Sequence, residues 1–219
     1  MRAPAIKSCA AAVALLALAA IQGGCGSKSP DYHSIWTDSS TTTTTTPPAE
    51  RLVPIWKYLE SDGVTGEQVA PSKLTGLTVS IPTPPGWAKS SNSNYSPGTM
   101  AISKGEDYPM AMLMVFKLNG EFDAAEAIKH GYAEAELSEN FKRLDASTED
   151  FQGFPSAMIQ GTYNLAQTRL RAYNRIVIAT GSEDQRYLVQ LTVTTRADQA
   201  VAHADDVEAI ISRFKVAAR

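Results

Sequence analysis

Apolar and polar residues alternate in three consecutive segments of the last third of the chain, at positions 157–165, 169–178 and 187–194. This two-residue period is typical of β-strands that bury one face. Short turns join the three segments, and strands joined by short turns pair antiparallel. The pattern therefore predicts an antiparallel meander and a fold in which a sheet is the dominant element.

Other patterns place a central strand and two helices around this meander. Positions 110–116 are continuously apolar, as in a strand that is buried on both faces. Asp123, with Glu126 three residues later, matches a capping box and predicts a helix that runs to about Glu139. A single apolar stripe predicts a closing helix, with Val201, Ala204, Val207, Ile210, Ile211 and Phe214. Together these elements predict an α+β fold, an antiparallel β-sheet flanked by helices.

The first 24 residues predict a secretory signal peptide. A positively charged start precedes an apolar run at positions 10–21, which falls short of the roughly 20 residues that span a bilayer. Gly23-Gly24-Cys25 matches the small-small-Cys part of a bacterial lipobox, although Gln22 stands where an aliphatic residue is usual. We predict cleavage before Cys25 and acylation of its thiol. The alternatives are an ordinary secretory signal and an uncut membrane anchor.

Residues 25–50 form the predicted tether, and residues 51–219 form the predicted folded domain. The tether is rich in Ser, Thr and Pro and buries too little apolar surface to offset its ordering entropy. It is either a bare linker or an O-glycosylated stalk. Four of its residues are unusually apolar or aromatic for a linker, and they either contact the membrane surface or have no role: Tyr32, His33, Ile35 and Trp36.

Charge and cysteine content limit the classes of partner. The formal net charge is −3, and no basic patch of the kind that nucleic acid requires is visible. An acidic surface gains nothing from anionic lipid head groups, so acyl chains on Cys25 would provide the membrane anchor. Because Cys9 lies within the signal peptide, the domain of roughly 170 residues depends on its core rather than on disulfides.

A search for catalytic or metal-binding motifs in the sequence finds none. The chain lacks a G-x-S-x-G elbow, an H-E-x-x-H motif, a C-x-x-C pair and a Gly-rich phosphate loop. His33, His130 and His203 are far apart in the sequence, whereas a metal site needs several convergent ligands. We therefore predict no enzyme activity, no cofactor and no metal.

The polar positions of the meander suggest one candidate binding surface. Alternation places them on a common face, where arginines and a tyrosine can recognise sugars, phosphates or carboxylates. An ordinary solvated face of an antiparallel sheet is the alternative. The residues predicted to form this ligand or partner surface are Arg169, Arg171, Tyr173, Arg175 and Gln190.

Three methionines on the central strand leave a similar choice open. Met110, Met112 and Met114 either fill the core or line a pocket for flexible acyl chains, since methionine adapts its shape to either environment.

Several stretches of the domain resemble the LpqN/LpqT family of mycobacterial lipoproteins. They include positions 53–60 (VPIWKYLE), 78–87 (TVSIPTPPGW), 111–118 (AMLMVFKL) and 154–161 (FPSAMIQG), behind a signal, a cysteine and a Thr/Pro tether. The resemblance implies a Mog1/PsbP-like α/β/α sandwich, a place on the mycobacterial cell envelope and a role without catalysis. The family has no established catalytic motif to carry over.

These observations predict an envelope lipoprotein, anchored through Cys25 to the extracytoplasmic face of the cell membrane. It would bind an envelope lipid or glycolipid, or act as an adaptor for an envelope transport or assembly protein. Two alternatives are a hydrolase that acts on envelope material and a purely structural or host-facing surface antigen. A hydrolase would need a nucleophile with a base, or paired carboxylates, in a cleft.

Overall fold

A computed structural model describes residues 52–92 and 94–219. The predicted signal peptide, Cys25 and the tether lie outside the described residues. The strands are β1 (Thr65–Gln68), β2 (Leu77–Ser80), β3 (Ala88–Ser90), β4 (Met100–Ser103), β5 (Met110–Asn119), β6 (Lys142–Ser147), β7 (Ser156–Leu165), β8 (Thr168–Thr180), β9 (Arg186–Arg196) and β10 (Lys215–Ala218). The α-helices are α1 (Ile55–Ser61), α2 (Ala124–Ile128), α3 (Ala133–Glu136) and α4 (Ala204–Ser212).

An antiparallel sheet organises the domain, in the order β3-β4-β5-β9-β8-β7-β6, with β1 pairing beside β4 on β5. Strands β2 and β10 form a separate two-stranded sheet. The predicted meander is present as β7, β8 and β9, and the apolar run of β5 lies against β9 in the centre. The prediction of an α+β fold with helices on an antiparallel sheet is confirmed.

The large sheet has two buried faces. On one, which we call the α1 face, α1 and α2 pack on Phe116 of β5 and Leu188 of β9. On the other, the α4 face, α4 and the β2–β10 pair pack on Leu113 and Leu191. Val115 of the central strand is fully buried, as expected of a strand covered on both sides.

The predicted helix from Asp123 to Glu139 is wrong in its length. The Asp123 side chain caps α2 by accepting the backbone N–H groups of Ala125 (2.8 Å) and Glu126 (3.1 Å). The helix then ends, and a turn containing Gly131 leads into α3. A Cβ at Gly131 would lie 3.1 Å from the carbonyl oxygen of Ile128 and would collide with Ala157 on the sheet. The turn between α2 and α3 therefore packs closely on the sheet at a position that requires glycine.

The closing helix is also shorter than its apolar stripe, since α4 begins at Ala204 and Val201 is 90% exposed. In the described part of the chain, no helix has the length and apolar character needed to cross a membrane.

Candidate functional site

A cavity of about 240 Å3 opens on the α1 face, beyond the area that α1 and α2 cover. Its floor is formed by β7, β8 and β9, and its wall by α3 and the turn that follows α3. Its lining is mostly apolar and comprises Glu134, Ala135, Ser138, Phe141, Ile159, Gly161, Tyr163, Leu165, Ala172, Asn174, Gln190 and Thr192.

Small side chains on neighbouring strands leave room for this cavity. Gly161 of β7 pairs with Ala172 of β8, so the centre of the floor carries one methyl group and one hydrogen. The Phe141 ring lies directly on Gly161, where a Cβ would collide with it. Phe141 therefore forms a wall that depends on glycine at position 161.

Three polar side chains interrupt the apolar floor. Asn174 of β8 pairs with Thr192 of β9, and its Oδ1 accepts a hydrogen bond from the Thr192 hydroxyl at 3.2 Å. The same oxygen accepts a longer bond from Nε2 of Gln190 at 3.4 Å. Asn174 and Gln190 are both buried, at 9% and 7% exposed. The floor thus holds a polar cluster within an apolar surround.

One atom of this cluster lacks a partner. The Oε1 atom of Gln190 is buried and has no hydrogen-bond partner in the described part of the chain. Leaving a buried polar group without a hydrogen bond costs about 1–3 kcal/mol. Gln190 can accept a hydrogen bond from a hydroxyl or N–H group of a molecule that enters the cavity.

Among the described residues, Glu134 carries the one carboxylate of the cavity lining. Desolvation raises the pKa of the Glu134 carboxyl above its ordinary value, although the residue remains exposed and solvent limits this effect. Neither lysine nor arginine is among the described residues that line the cavity. The site therefore offers hydrogen-bonding groups and no cation for an anionic head group.

The five residues of the predicted binding surface lie on two opposite faces of the sheet. Arg175 pairs with Leu191 across β8 and β9, whereas Gln190 pairs with Ile176. Paired residues on neighbouring antiparallel strands point to the same face. The four residues on the α4 face are Arg169, Arg171, Tyr173 and Arg175; the prediction that Gln190 shares this face is wrong.

Two of the predicted arginines are engaged within the domain. Arg175 donates to the Tyr173 hydroxyl (2.6 Å) and to the Ser156 hydroxyl (2.9 Å), and its guanidinium lies 4.6 Å from the Phe151 ring centroid. Arg169 donates to the Asn140 carbonyl oxygen at 2.8 Å, and it also bonds the side chains of Asn164 and Thr162. These contacts hold loops and neighbouring strands together.

The other two predicted residues differ in exposure. Tyr173 is 6% exposed, and burial raises the pKa of its phenol. Arg171 is exposed and forms no ion pair with any described residue. It lines a crevice of about 160 Å3 between α4 and the sheet, together with Tyr173 and Glu208.

The three methionines fill the core. Met110, Met112 and Met114 are 4%, 1% and 3% exposed, and none of them lines the cavity. The cavity lies on β9, β8 and β7, which follow the methionine strand β5 in the order of the sheet.

Sequence reasoning missed Asn174, Ala172 and Phe141. Asn174 lies in the apolar phase of its strand, between Ala172 and Ile176, and a polar residue in that phase was the available signal. No sequence signal pointed to Phe141, because its position over Gly161 depends on tertiary structure. Among the described residues, no group of three or more His, Cys, Asp or Glu side chains could hold a metal ion.

Comparison with known proteins assigns the domain. The family model described as "Probable lipoprotein LpqN" (Lpp-LpqN) matches residues 51–217, which is most of the chain. The chain belongs to the Lpp-LpqN family. Among its relatives, "Putative lipoprotein LpqT" of Mycobacterium tuberculosis (strain CDC 1551 / Oshkosh) is 60% identical over 212 residues, covering 96% of this chain and 93% of the relative.

One solved structure supports the assignment of the fold. The family member LpqN of Mycobacterium tuberculosis, described as involved in cell envelope biogenesis, aligns with a TM-score of 0.65 at 18% identity, covering 75% of this chain and 97% of that one. The solution structure of cyanobacterial PsbP from Synechocystis sp. PCC 6803 also aligns, with a TM-score of 0.42 at 12% identity over 66% of this chain and 94% of that one. The predicted family is confirmed.

Proposed function

We propose that this protein is an envelope lipoprotein that binds the apolar chain of an amphiphilic envelope molecule in the cavity on the α1 face. The single observation that carries this proposal is the apolar cavity whose floor presents a buried Gln190 Oε1 without a partner among the described residues. Apolar pockets with a few well-placed polar groups are typical of small-molecule sites.

The size of the cavity limits what enters it. Its volume of about 240 Å3 is below the roughly 300–1,000 Å3 of common ligand pockets, so part of a ligand occupies it. One acyl segment fits this description, with the head group at the mouth beside Glu134 and Ser138. Because no lysine or arginine is among the described residues that line the cavity, an uncharged head, such as the hydroxyls of a glycolipid, suits it better than a phosphate.

A binding role fits the polar groups better than a catalytic one. The floor presents two amides and the Thr192 hydroxyl, which are hydrogen-bonding groups without a strong base. The Ser138 hydroxyl, near the mouth, donates to the backbone carbonyl of Glu134 at 3.5 Å rather than to a side-chain base. Nucleophilic catalysis requires a base within hydrogen-bond reach of the nucleophile.

The anchor remains part of the proposal. Acylation of Cys25 would hold the domain on the extracytoplasmic face of the cell membrane, with the tether as the linker between anchor and domain. The names of the LpqT relatives and of the family support a lipoprotein. The description of LpqN as involved in cell envelope biogenesis supports an envelope role.

A second candidate function is contact with a protein partner through the α4 face. Arg171 is the residue that favours it, since its guanidinium is exposed and forms no ion pair with a described residue, whereas Arg169 and Arg175 are engaged internally. An envelope transport or assembly protein with an acidic surface would fit this position.

Native mass spectrometry of the protein, purified gently from mycobacterial membranes, tests the proposed function. We expect a bound amphiphile that is lost in Ala172→Phe, because the larger side chain fills the cavity. Arg171→Ala, on the opposite face, should retain the amphiphile. Wild-type protein without any bound species, or equal occupancy in Ala172→Phe, would contradict the cavity and favour the protein-partner function.

A further inference from the structure

A second depression lies on the other side of α3 from the ligand cavity. This groove has a volume of about 510 Å3, within the range of common binding pockets. Ala133 and Glu136 of α3 line the groove, whereas Glu134 and Ala135 of the same helix line the cavity. The groove is thus a separate site, divided from the cavity by one short helix.

Apolar and aromatic groups form one part of the groove, and the charged side chains of Glu126, Lys129 and Glu136 form the rest. Val53, Tyr132 and Ala133 contribute to its lining, beside the ring of His130. The His130 ring is held in place by stacking on Tyr58, with ring centroids 4.4 Å apart, and by a 3.1 Å contact between its Nδ1 and the Val53 carbonyl oxygen. These fixed rings provide a preformed surface for another aromatic side chain.

The described chain begins at this groove. Leu52, the first described residue, is part of the lining and is 43% exposed. The tether therefore leaves the domain at the groove. Between Cys25 and Arg51 the large apolar side chains are those of Tyr32, Ile35 and Trp36, which lie close together in the sequence.

The tether is long enough to return to the groove. A flexible chain of the length that separates Trp36 from Leu52 has an end-to-end distance of about 20–25 Å. Short flexible linkers of this kind give effective concentrations in the millimolar range. A linker of this length would therefore present Trp36 to the groove at an effective concentration at which weak apolar docking is favourable.

We propose that Tyr32, Ile35 and Trp36 of the tether dock into this groove. Docking buries the apolar side chains of an otherwise polar leash against His130, Tyr132 and Leu52. It also shortens the leash, because the free chain between Cys25 and the domain falls from about 90 Å to about 25 Å when fully extended. The domain then has two heights above its anchor point, set by whether the groove is occupied.

Hydroxyl-radical footprinting of the processed chain from mycobacterial membranes tests this proposal. The method reports the side-chain oxidation of Trp36, with Trp56 on α1 as an internal reference. A side chain docked for four-fifths of the time is oxidised roughly fivefold more slowly than a free one. We expect this protection in the wild type and its loss in Leu52→Glu, which places a charge on the exposed rim of the groove.

Leu137→Glu is the matched control. Leu137 is 59% exposed and does not line the groove, so the same substitution there should leave Trp36 protected. A Trp36 side chain as reactive as a free indole overturns the proposal. So does protection that survives Leu52→Glu, which would mean burial in the bilayer or elsewhere. Because neither variant touches the ligand cavity, the result is independent of amphiphile binding.

Discussion

Gln190 donates a hydrogen bond to Oδ1 of Asn174 across 3.4 Å, while its own Oε1 is buried without a partner among the described residues. Asn174 keeps a second donor in the Thr192 hydroxyl at 3.2 Å, so it does not depend on Gln190 alone. Gln190 therefore contributes little to the stability of the free protein. Its unused acceptor is available to a ligand.

We predict that Gln190→Leu separates stability from binding. Removing a buried acceptor without a partner, and a long hydrogen bond with it, should change the free energy of unfolding by less than about 1 kcal/mol. The affinity for an uncharged amphiphile should fall roughly tenfold, which is about 1.4 kcal/mol. Urea unfolding and calorimetric titration measure the two effects.

Gln160→Leu is the matched control for this change. Gln160 lies on the α4 face and lines the Arg171 crevice instead of the cavity. It should leave the affinity unchanged. A Gln190→Leu variant that loses much stability but binds normally would show that Gln190 is a structural residue.

The arginines of the α4 face should differ in their effect on stability. Arg175→Ala removes two charge-assisted hydrogen bonds and a contact with the Phe151 ring, so we expect a loss of about 1.5–3 kcal/mol in the free energy of unfolding. Arg175→Lys should not restore it, because lysine lacks the planar guanidinium fork. Arg171→Ala should stay within about 0.5 kcal/mol of the wild type. Equal losses at the two positions, measured by urea unfolding, would contradict these roles.

Low pH should weaken the contact between Asp206 of α4 and the residues that flank β3 and β4, Trp87 and Lys104. Asp206 accepts hydrogen bonds from the Trp87 indole N–H (3.0 Å) and from the Lys104 ammonium (2.9 Å), and these two bonds hold the pKa of its carboxyl below the usual value. A carboxyl whose pKa is lowered by folding stabilises the protein above its unfolded pKa, and this contribution is lost as the pH falls through the folded pKa.

We therefore expect Asp206→Asn to be less stable than the wild type at pH 7, with a difference that begins to shrink near the ordinary aspartate pKa of about 4 and is lost as the pH falls through the lower pKa of the folded carboxyl. Asp205→Asn is the control, because Asp205 is the exposed neighbour on the first turn of α4. Urea unfolding at several pH values follows the difference. A gap between wild type and Asp206→Asn that persists at low pH would assign the effect to packing.

The distribution of the protein between membrane and medium should depend on Cys25. Cys25→Ser removes the thiol that acylation requires, so we expect the chain to move from the membrane fraction to the culture medium of a mycobacterial host. Two or more acyl chains anchor firmly, whereas one binds only marginally. The intact mass of the wild type should show the added chains on Cys25. Membrane retention of Cys25→Ser would point to an uncut signal anchor.

The sequence predicts the sheet better than it predicts the site. Alternation along β7, β8 and β9 and the apolar run of β5 depend on local burial, and both are confirmed. Whether Gln190 of β9 lies on the same face of the sheet as the arginines of β8 depends on the register between the two strands. Alternation within each strand does not determine this register. Phe141 and Gly161 come into contact through tertiary packing, so the sequence could not predict the cavity wall either.

The lengths of the helices also depend on tertiary contacts that the sequence does not show. The Asp123 cap is local, and the prediction that a helix begins there is confirmed. The turn that follows α2 brings Gly131 close to Ala157 on the sheet, which is a long-range contact. A sequence pattern gives no signal for such a contact.

Methyl NMR during titration with an uncharged alkyl glycoside tests amphiphile binding most directly. We predict saturable shifts of the Ile159, Leu165 and Ala172 methyl groups, which line the cavity, and unchanged signals from Val207 and Ile211 beside the Arg171 crevice. Shifts confined to Val207 and Ile211, or no saturable shift at any of the five residues, would contradict the assignment of the cavity as the ligand site.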